Sequence, residues 1–428
     1  VTLQHVTKQT MTGFALTLLQ ICIIVLSGRA VGLLLKRLGQ PAVIGEIAGG
    51  ILLGPSAFGY FAPETFARVF PAQSIPTLQS LSQIGLILFM FLVGLEFAPE
   101  LMRGRKHTVV VISHVSIIVP FLLGTALAVY LYPRLADPGV TFRSFTLFLG
   151  TAMSITAFPV LARILTDRNL TRTPMGNTVI ACAAVDDVTA WCILAFVVVL
   201  ARAGDPTQLA IQLPLVAIYV LGMIFVIRPL LRKLAPTKVT ETSLAAMLLL
   251  VLASSWTTEL LGIHALFGAF LAGAITPREA SLNEAIVPHI RGLTNVIFLP
   301  LFFAVTGLRT NVGLLRTPGL WLCCALVLAA AIAGKLGGAT ISAKAVGFNW
   351  RDATAIGALM NTRGLMEMVV LNIGRDIGVV STSLFTMCVI MALVTTAMTT
   401  PLLDLLVRSA ARQREADALL ASPEPRGS

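Results

Sequence analysis

Charge is what this sequence has least of. Only 12% of its 428 residues are Asp, Glu, Lys or Arg, against 56% hydrophobic, and the mean hydropathy is +0.88. A soluble domain carries about 25% charged residues. A larger core does not explain the shortfall, because a core still needs a charged shell. Lipid is therefore the main solvent, and the chain reads as an all-α polytopic membrane protein. Nucleotide signatures are missing as well: neither GxGxxG nor GxxxxGK[ST] occurs, so no nucleotide-binding domain is expected. The six cysteines (Cys22, Cys182, Cys192, Cys323, Cys324, Cys388) lie in apolar stretches without a CxxC. The five histidines form no HxxxH pair. No zinc site, disulfide framework or cofactor is implied. The N-terminus lacks a basic region followed by a cleavable A-x-A site, so no signal peptide is read.

The net charge of +11 and pI near 9.9 are compatible with a nucleic-acid partner. The basic residues, however, come in small groups between apolar segments, which fits loop charges that set topology and no nucleic acid. Apolar segments at 12–35, 41–54, 80–98, 108–132, 144–165, 176–201, 209–231, 243–258, 263–276, 294–308, 319–343, 352–373 and 382–407 predict thirteen spans. An odd count puts the termini on opposite sides. Lys36/Arg37, Arg103/Arg105/Lys106, Arg163/Arg168/Arg172, Arg228/Arg232/Lys233/Lys238, Arg278/Arg291 and Lys344/Arg351 fall in one set of alternate loops. Arg408, Arg412, Arg414 and Arg426 of the tail join that set, and the sparser set holds Lys8, Arg68, Arg134, Arg143, Arg202, Arg309, Arg316 and Arg375. This bias predicts an outer N-terminus and a cytoplasmic C-terminus, with 408–428 as a short polar tail behind a membrane domain at 1–407.

Three short matches recur in the same order in the two halves: AGGI at 48–51 with AGAI at 272–275, LFMFLVGL at 88–95 with LFFAVTGL at 301–308, and GTAMS at 150–154 with GALMN at 357–361. Each pair joins spans seven apart, so the copies cross the membrane in opposite directions. This predicts two inverted-topology repeats, about 12–201 and 243–407, joined by a connector helix at about 209–231.

Into this apolar background the chain sets ACAAVDDVTAW at 181–191. An aspartate at a helix centre costs roughly 2.5–3.5 kcal/mol on insertion scales, so the pair needs a reason. Helix neighbours point about 100° apart; Asp186 and Asp187 therefore cannot face one partner. Lys335, in AAAIAGKLGGATIS, is the expected counter-charge of Asp186, with Gly334, Gly337 and Gly338 letting another helix approach. Asp187 is then left for a cation.

Two spans read as broken. Residues 150–165 hold Ser154, Thr156 and Pro159 mid-span, around Ala157 and Phe158, and a proline leaves the carbonyl four residues earlier without its donor. Residues 357–374 hold Asn361, Thr362, Arg363 and Gly364 at the corresponding point. Unwound backbone at membrane depth must line a cavity or be buried in protein. Two breaks offer free carbonyls and opposed helix ends to an ion. Arg363 and Glu367, four apart, are expected to pair locally on one helix face.

The runs AVDDVTAW, GKLGG, HALFGAFLAGAITP, PAVIGEIAGGILLGPS, LPLFFAVTGLRTNVG and NTRGLMEMVVLNIGRDIGVVS together resemble the monovalent cation:proton antiporter-2 family, in the flavour of the plant cation/H+ exchangers and their bacterial relatives. The resemblance covers essentially the whole membrane domain. It implies a thirteen-helix inverted-repeat fold with two broken crossing helices, a homodimer in a bacterial inner membrane, and a core that moves against a dimerisation domain. It also implies that Asp187 is the shared ion and proton site, that Asp186 pairs with Lys335, and that the two-aspartate form exchanges electrogenically. On this reading Na+ or K+ competes with the proton at Asp187, helped by oxygens from Ser154 and Thr156, and no resident metal is needed.

Other classes fit less well. An intramembrane aspartyl protease needs carboxylates that share a proton, normally from separate helices. A sodium-coupled symporter of an organic anion on a similar inverted-repeat fold needs a larger cavity with a basic or aromatic anchor. A channel would not show strict exchange. Glu46 is expected to serve helix packing or a dimer interface, Glu96 to lie at the membrane surface and His264 to bond locally, while His114 has no expected role.

Overall fold

The computed structural model describes residues 13–96, 106–171, 173–202, 206–234, 240–277, 287–288 and 290–421. Among the described residues there are helices, turns and loops but no strand. Eleven helical segments are long and apolar enough to cross a membrane, and the chain is an integral membrane protein. Two of the thirteen expected spans fall outside that set. Ala265–Ile275 has only 11 residues, about 16 Å of helix at 1.5 Å per residue. The stretch from Trp350 to Asp376 is interrupted at 361–364.

The helices that position the site are α1 (Gly13–Arg37), α2 (Ala42–Leu53), α3 (Ile75–Glu96), α4 (Lys106–Leu135), α5 (Phe142–Ser154), α6 (Phe158–Asp167), α7 (Pro174–Arg202), α8 (Pro206–Gly222), α9 (Glu241–Leu260), α10 (Ala265–Ile275), α11 (Leu299–Leu308), α12 (Pro318–Ile332), α13 (Gly338–Ala345), α14 (Trp350–Met360), α15 (Leu365–Asp376) and α16 (Thr382–Ala421). Their starts are written locally. Thr141 caps α5 by accepting from the Ser144 N–H, Thr240 and Ser243 form a reciprocal capping box on α9, and Asn349 caps α14 through the Asp352 N–H at 2.7 Å. Each satisfies a donor that has no partner inside the helix.

Packing sorts most of these helices into two groups. One gathers α1, α2, α3, α9, α10 and α11; the other gathers α4, α5, α7, α12, α13, α14 and α16. Within the first group, two close crossings depend on glycine. A Cβ on Gly94 of α3 would lie 2.2 Å from the Phe270 carbonyl oxygen and 3.0 Å from the Gly273 Cα of α10. A Cβ on Gly307 of α11 would lie 2.2 Å from the Gly50 carbonyl carbon of α2. Main chains meet there because no side chain stands between them.

Lipid-sized apolar side chains such as Leu26, Phe225, Leu249 and Ile341 are exposed, as expected where the surroundings are hydrocarbon. The fully buried charged residues among those described, Asp186, Lys335, Arg363 and Glu367, gather instead around the two interruptions, each at 0% exposure.

Candidate functional site: two helix breaks around a carboxylate pair

The α5–α6 span is interrupted at Ile155–Ala157, and the α14–α15 span at 361–364. The two breaks touch: the Ala157 N–H donates to the Thr362 carbonyl at 2.9 Å. Pro159 does not kink a continuous helix here. It sits in the first turn of α6, where a missing N–H costs nothing, and the chain before it is extended. A helix end leaves its last carbonyls without donors, and at α5 two buried cations supply them. Arg363 donates to the Ala152 carbonyl at 2.8 Å and to the Met153 carbonyl at 2.6 Å. Lys335 donates to the Ser154 carbonyl at 2.5 Å.

Lys335 reaches this point from an unusual turn. Residues Ala333–Gly337 form one wider, π-helical turn between α12 and α13, a local distortion frequent at functional sites. Gly334 lets that turn press against α4, where a Cβ would lie 2.7 Å from the Pro120 Cα. Pro120 has no N–H, so the Ser116 carbonyl four residues earlier lacks its helical donor. Lys335 fills that vacancy too, donating to the Ser116 carbonyl at 2.9 Å. Its third donation, at 2.9 Å, goes to Asp186 Oδ2. An ammonium has three donors, and all three are used.

Asp186 Oδ2 is equally crowded. It accepts from Lys335, from Ser116 Oγ at 2.9 Å and from Thr156 Oγ1 at 2.8 Å. Its other oxygen has no partner. Asp187, next along α7 and 4% exposed, has none on either oxygen. The N-terminus of α6 at Phe158 directs its field at Asp187 without closing a hydrogen bond. Asp187 instead borders a small cavity lined by Ile155, Ala190, Trp191, Leu194, Met366 and Val370. The adjacent acids thus occupy opposite environments, one with three donors on a single oxygen and one bare.

Several expectations change. Neither Ser154 nor Thr156 hydrogen-bonds Asp187. The Ser154 hydroxyl donates back to the Thr151 carbonyl at 2.8 Å, and its own carbonyl serves Lys335. Thr156 serves Asp186 because the extended link between the half-helices turns it that way. Arg363 and Glu367 do pair, at 2.7 Å, but not along a helix face. Arg363 lies in the break before α15, with Gly364 as the N-cap, and its guanidinium spans from Glu367 to the end of α5.

Two sets of residues at the site escaped the sequence reading. Ser116 was readable only as a serine four residues before a proline in an apolar span. Thr396 and Thr399 of α16 hold the second break, Thr396 through the Arg363 N–H at 2.9 Å and carbonyl at 2.6 Å, and Thr399 through the Ala358 carbonyl at 3.2 Å. Their signal was the TTAMTT run at 395–400.

Elsewhere, Glu46 packs on α1, its Cγ 3.8 Å from the Cβ position of Gly28. His264 accepts from the Leu266 N–H and caps α10. His114 is exposed on α4 and bonds its own helix at the Val110 carbonyl. The Glu96 side chain lies outside the described residues, as do 97–105, 172, 235–239 and 278–286, which carry several of the loop charges used for orientation. Among the described residues no group of three or more His, Cys, Asp or Glu side chains is placed to hold a metal ion.

A helical membrane scaffold in which two interrupted spans meet beside buried carboxylates is that of an ion-coupled transporter. The family described as sodium/hydrogen exchanger, transmembrane, matches residues 22–407. The Na(+)/H(+) antiporter NhaS4 of Synechocystis is 44% identical over 394 residues, covering 90% of this chain and 96% of its own. Cation/H(+) antiporter 17 of Arabidopsis thaliana is 42% identical over 90% of this chain and 48% of its own. The K(+)/H(+) antiporter 1 of Saccharomyces cerevisiae is 34% identical over 91% and 46%. The chain thus spans about half the length of these plant and yeast relatives. Its fold is similar to that of the sodium proton antiporter MjNhaP1 from Methanocaldococcus jannaschii, with a TM-score of 0.60 at 15% identity over 92% of this chain and 98% of that one. The chain belongs to the sodium/hydrogen exchanger family, a family of cation/proton antiporters, and is a transporter rather than an enzyme.

Proposed function

We propose that this protein exchanges a monovalent cation, Na+ or K+, for protons by alternating access, with Asp187 as the site for which the two compete. One observation carries the reading: Asp187 is a buried carboxylate whose oxygens make no hydrogen bond among the described residues, beside a cavity. An ionised carboxylate left so costs several kcal/mol, unless something neutralises it. A proton does so, and so does a dehydrated cation. The relatives named for Na+/H+, K+/H+ and cation/H+ exchange support the same pair of substrates here.

Occlusion follows from that cost. A bare Asp187 resists passage through the apolar barrier, whereas the proton-loaded and cation-loaded forms cross, so flux in one direction is tied to flux in the other without ATP. Asp186 and Lys335 hold the second proton. Its release as the cation arrives makes the exchange electrogenic.

The remaining architecture belongs to the same proposal: thirteen crossings, an outer N-terminus, two inverted repeats of about 12–201 and 243–407 around a connector at 209–231, and a homodimer. The Gly94–Gly273 and Gly307–Gly50 crossings support the repeats. Gly94 and Gly307 occupy matching places in LFMFLVGL and LFFAVTGL, and each packs on the short Gly-Ala span of the other half.

The test is exchange in proteoliposomes with a trapped pH dye, adding Li+, Na+, K+ and Rb+ in turn, with and without an imposed membrane potential. Na+ or K+ collapses the pH gradient, Asp187→Ala abolishes the response, and the potential changes the rate. If no cation moves protons in folded wild-type protein, the antiport reading fails and an anion symporter replaces it. Equal rates at all potentials would remove the electrogenic part alone.

A further inference from the structure

Ser116 touches both members of the buried ion pair. Its hydroxyl lies 2.9 Å from Asp186 Oδ2, and its carbonyl accepts from Lys335 at 2.9 Å. The carbonyl is free for this only because Pro120, one turn on, has no N–H to offer it. The hydroxyl has a second acceptor at the same distance, the Ser113 carbonyl at 2.9 Å. A hydroxyl has one proton and two lone pairs, so it serves one acceptor at a time. Thr156 repeats the arrangement from the α5–α6 break, with Asp186 Oδ2 at 2.8 Å and the Met360 carbonyl at 3.2 Å. Asp186 Oδ2 is therefore flanked by two hydroxyl rotors, each with a main-chain acceptor to fall back on.

We propose that Ser116 is a positioning residue for the proton carried by the Asp186–Lys335 pair, its hydroxyl holding the acid and its proline-freed carbonyl holding the base. The inference rests on the antiport reading above and specifies how its second proton is controlled.

The proton balance is simple. In the loaded state Lys335 is an ammonium, with its three N–H groups donated to the Ser116 carbonyl, the Ser154 carbonyl and Asp186. On release, which requires the alternating-access opening to bring water to the pair, one Nζ–H bond breaks, the proton passes to that water, and the electron pair stays on nitrogen. One remaining N–H group stays on Asp186, because a carboxylate repels a nitrogen lone pair more strongly than a neutral carbonyl does, and the lone pair is left toward a carbonyl. Asp186 then keeps only a neutral amine donor from Lys335, so its negative charge has lost its strongest partner. Ser116 and Thr156 turn their protons onto it and hold that charge. When the proton instead sits on Asp186, both hydroxyls swing to Ser113 and Met360, and Ser116 is free to accept from the acid. Both forms of the pair stay hydrogen-bonded without backbone movement. A carboxylate in a dry site with fixed donors would be locked in one form.

The two halves of Ser116 act in opposite directions, which gives the test its signature. Ser116→Ala removes the donor that stabilises the deprotonated pair, so release becomes harder and the pH–activity profile of exchange moves to higher pH. Pro120→Ala restores an N–H that competes with Lys335 for the Ser116 carbonyl. The ammonium is then held less well, and the profile moves to lower pH. One hydrogen bond to a charged group corresponds to about one pH unit in each direction.

Both variants and the wild type are reconstituted, with correct folding judged by monodisperse elution, and exchange is measured from pH 5.5 to 9 at saturating cation. Opposite displacements support the inference. Superimposable profiles, or displacements in one direction, overturn it, since a merely structural role lowers the rate without splitting the two variants. Asp187→Asn runs beside them. If that variant still exchanges, the antiport site itself is misassigned; if it is silent while the Ser116 and Pro120 profiles overlie the wild type, only the present inference falls.

Discussion

Removing Lys335 gives the sharpest energetic prediction. The Lys335–Asp186 pair has both side chains at 0% exposure and a 2.9 Å contact. Lys335→Met keeps a long apolar stem but deletes three donated hydrogen bonds at once, to Ser116, Ser154 and Asp186. Ser116 and Thr156 still donate to Asp186, yet they are neutral donors and leave its charge uncompensated. Breaking a buried pair from one side costs about 3–5 kcal/mol, and the two orphaned carbonyls push the value toward the upper end. Asp186→Asn alone leaves the ammonium unpaired and costs a similar amount. In the double variant neither member of this pair is charged, and the amide oxygen still accepts from the two hydroxyls. Most of the loss is then recovered, because exchanging a buried ion pair for neutral groups of similar volume is often near neutral. The assay is chemical or thermal unfolding of all four proteins in one detergent, read as a double-mutant cycle. We expect a coupling energy of about 3 kcal/mol or more, far above the ~0.5 kcal/mol scatter of independent sites. Costs that simply add would show that Lys335 and Asp186 do not share the stabilisation the geometry assigns them.

Arg363→Met uncaps the Ala152 and Met153 carbonyls and strands Glu367; it should cost about 3–5 kcal/mol, and Arg363→Lys should recover only part, because an ammonium lacks the planar fork that spans three acceptors. A lysine variant as stable as wild type in the same unfolding assay would contradict this. His264, in the loop before α10, has its pKa lowered by burial, with Glu259 and Asp376 opposing the shift and Arg202 reinforcing it. A depressed folded-state value means the contribution is present above the unfolded value of ~6.5 and is lost as pH falls through the folded one. Unfolding temperature should therefore fall on acidification below about pH 6.5, and His264→Asn, which tolerates the positive φ of 78° and keeps a capping oxygen, should flatten that limb. An unchanged acid limb in the variant would exclude His264 as its source.

Much of the site was legible because it rests on properties each residue carries alone. The hydropathy of AVDDVTAW marks two expensive acids whatever surrounds them. Pro159 and the Asn361–Gly364 run announce interruptions, since a missing N–H and a glycine act on their own backbone. Lys335 stood out as the lysine placed deepest in a span. Side-chain direction at the two breaks is not legible from spacing. Ser154 and Thr156 were correctly placed at a break, but a break frees φ and ψ, and periodicity no longer says which way a side chain points. Arg363 and Glu367 were read by helical spacing although Arg363 is not in a helix. Ser116 was invisible, because a serine in an apolar span is ordinarily bonded to its own helix.

By itself, then, the sequence determined the solvent, the order of the apolar spans, the places where two of them break and the pair of acids one helix would carry. Those follow from transfer energies and backbone chemistry, which are local. Only the tertiary structure decided that Asp186 draws three donors and Asp187 none. That difference is made by donors 30, 70 and 149 residues away in the chain, brought together by glycines and a proline that let three helices close on one point.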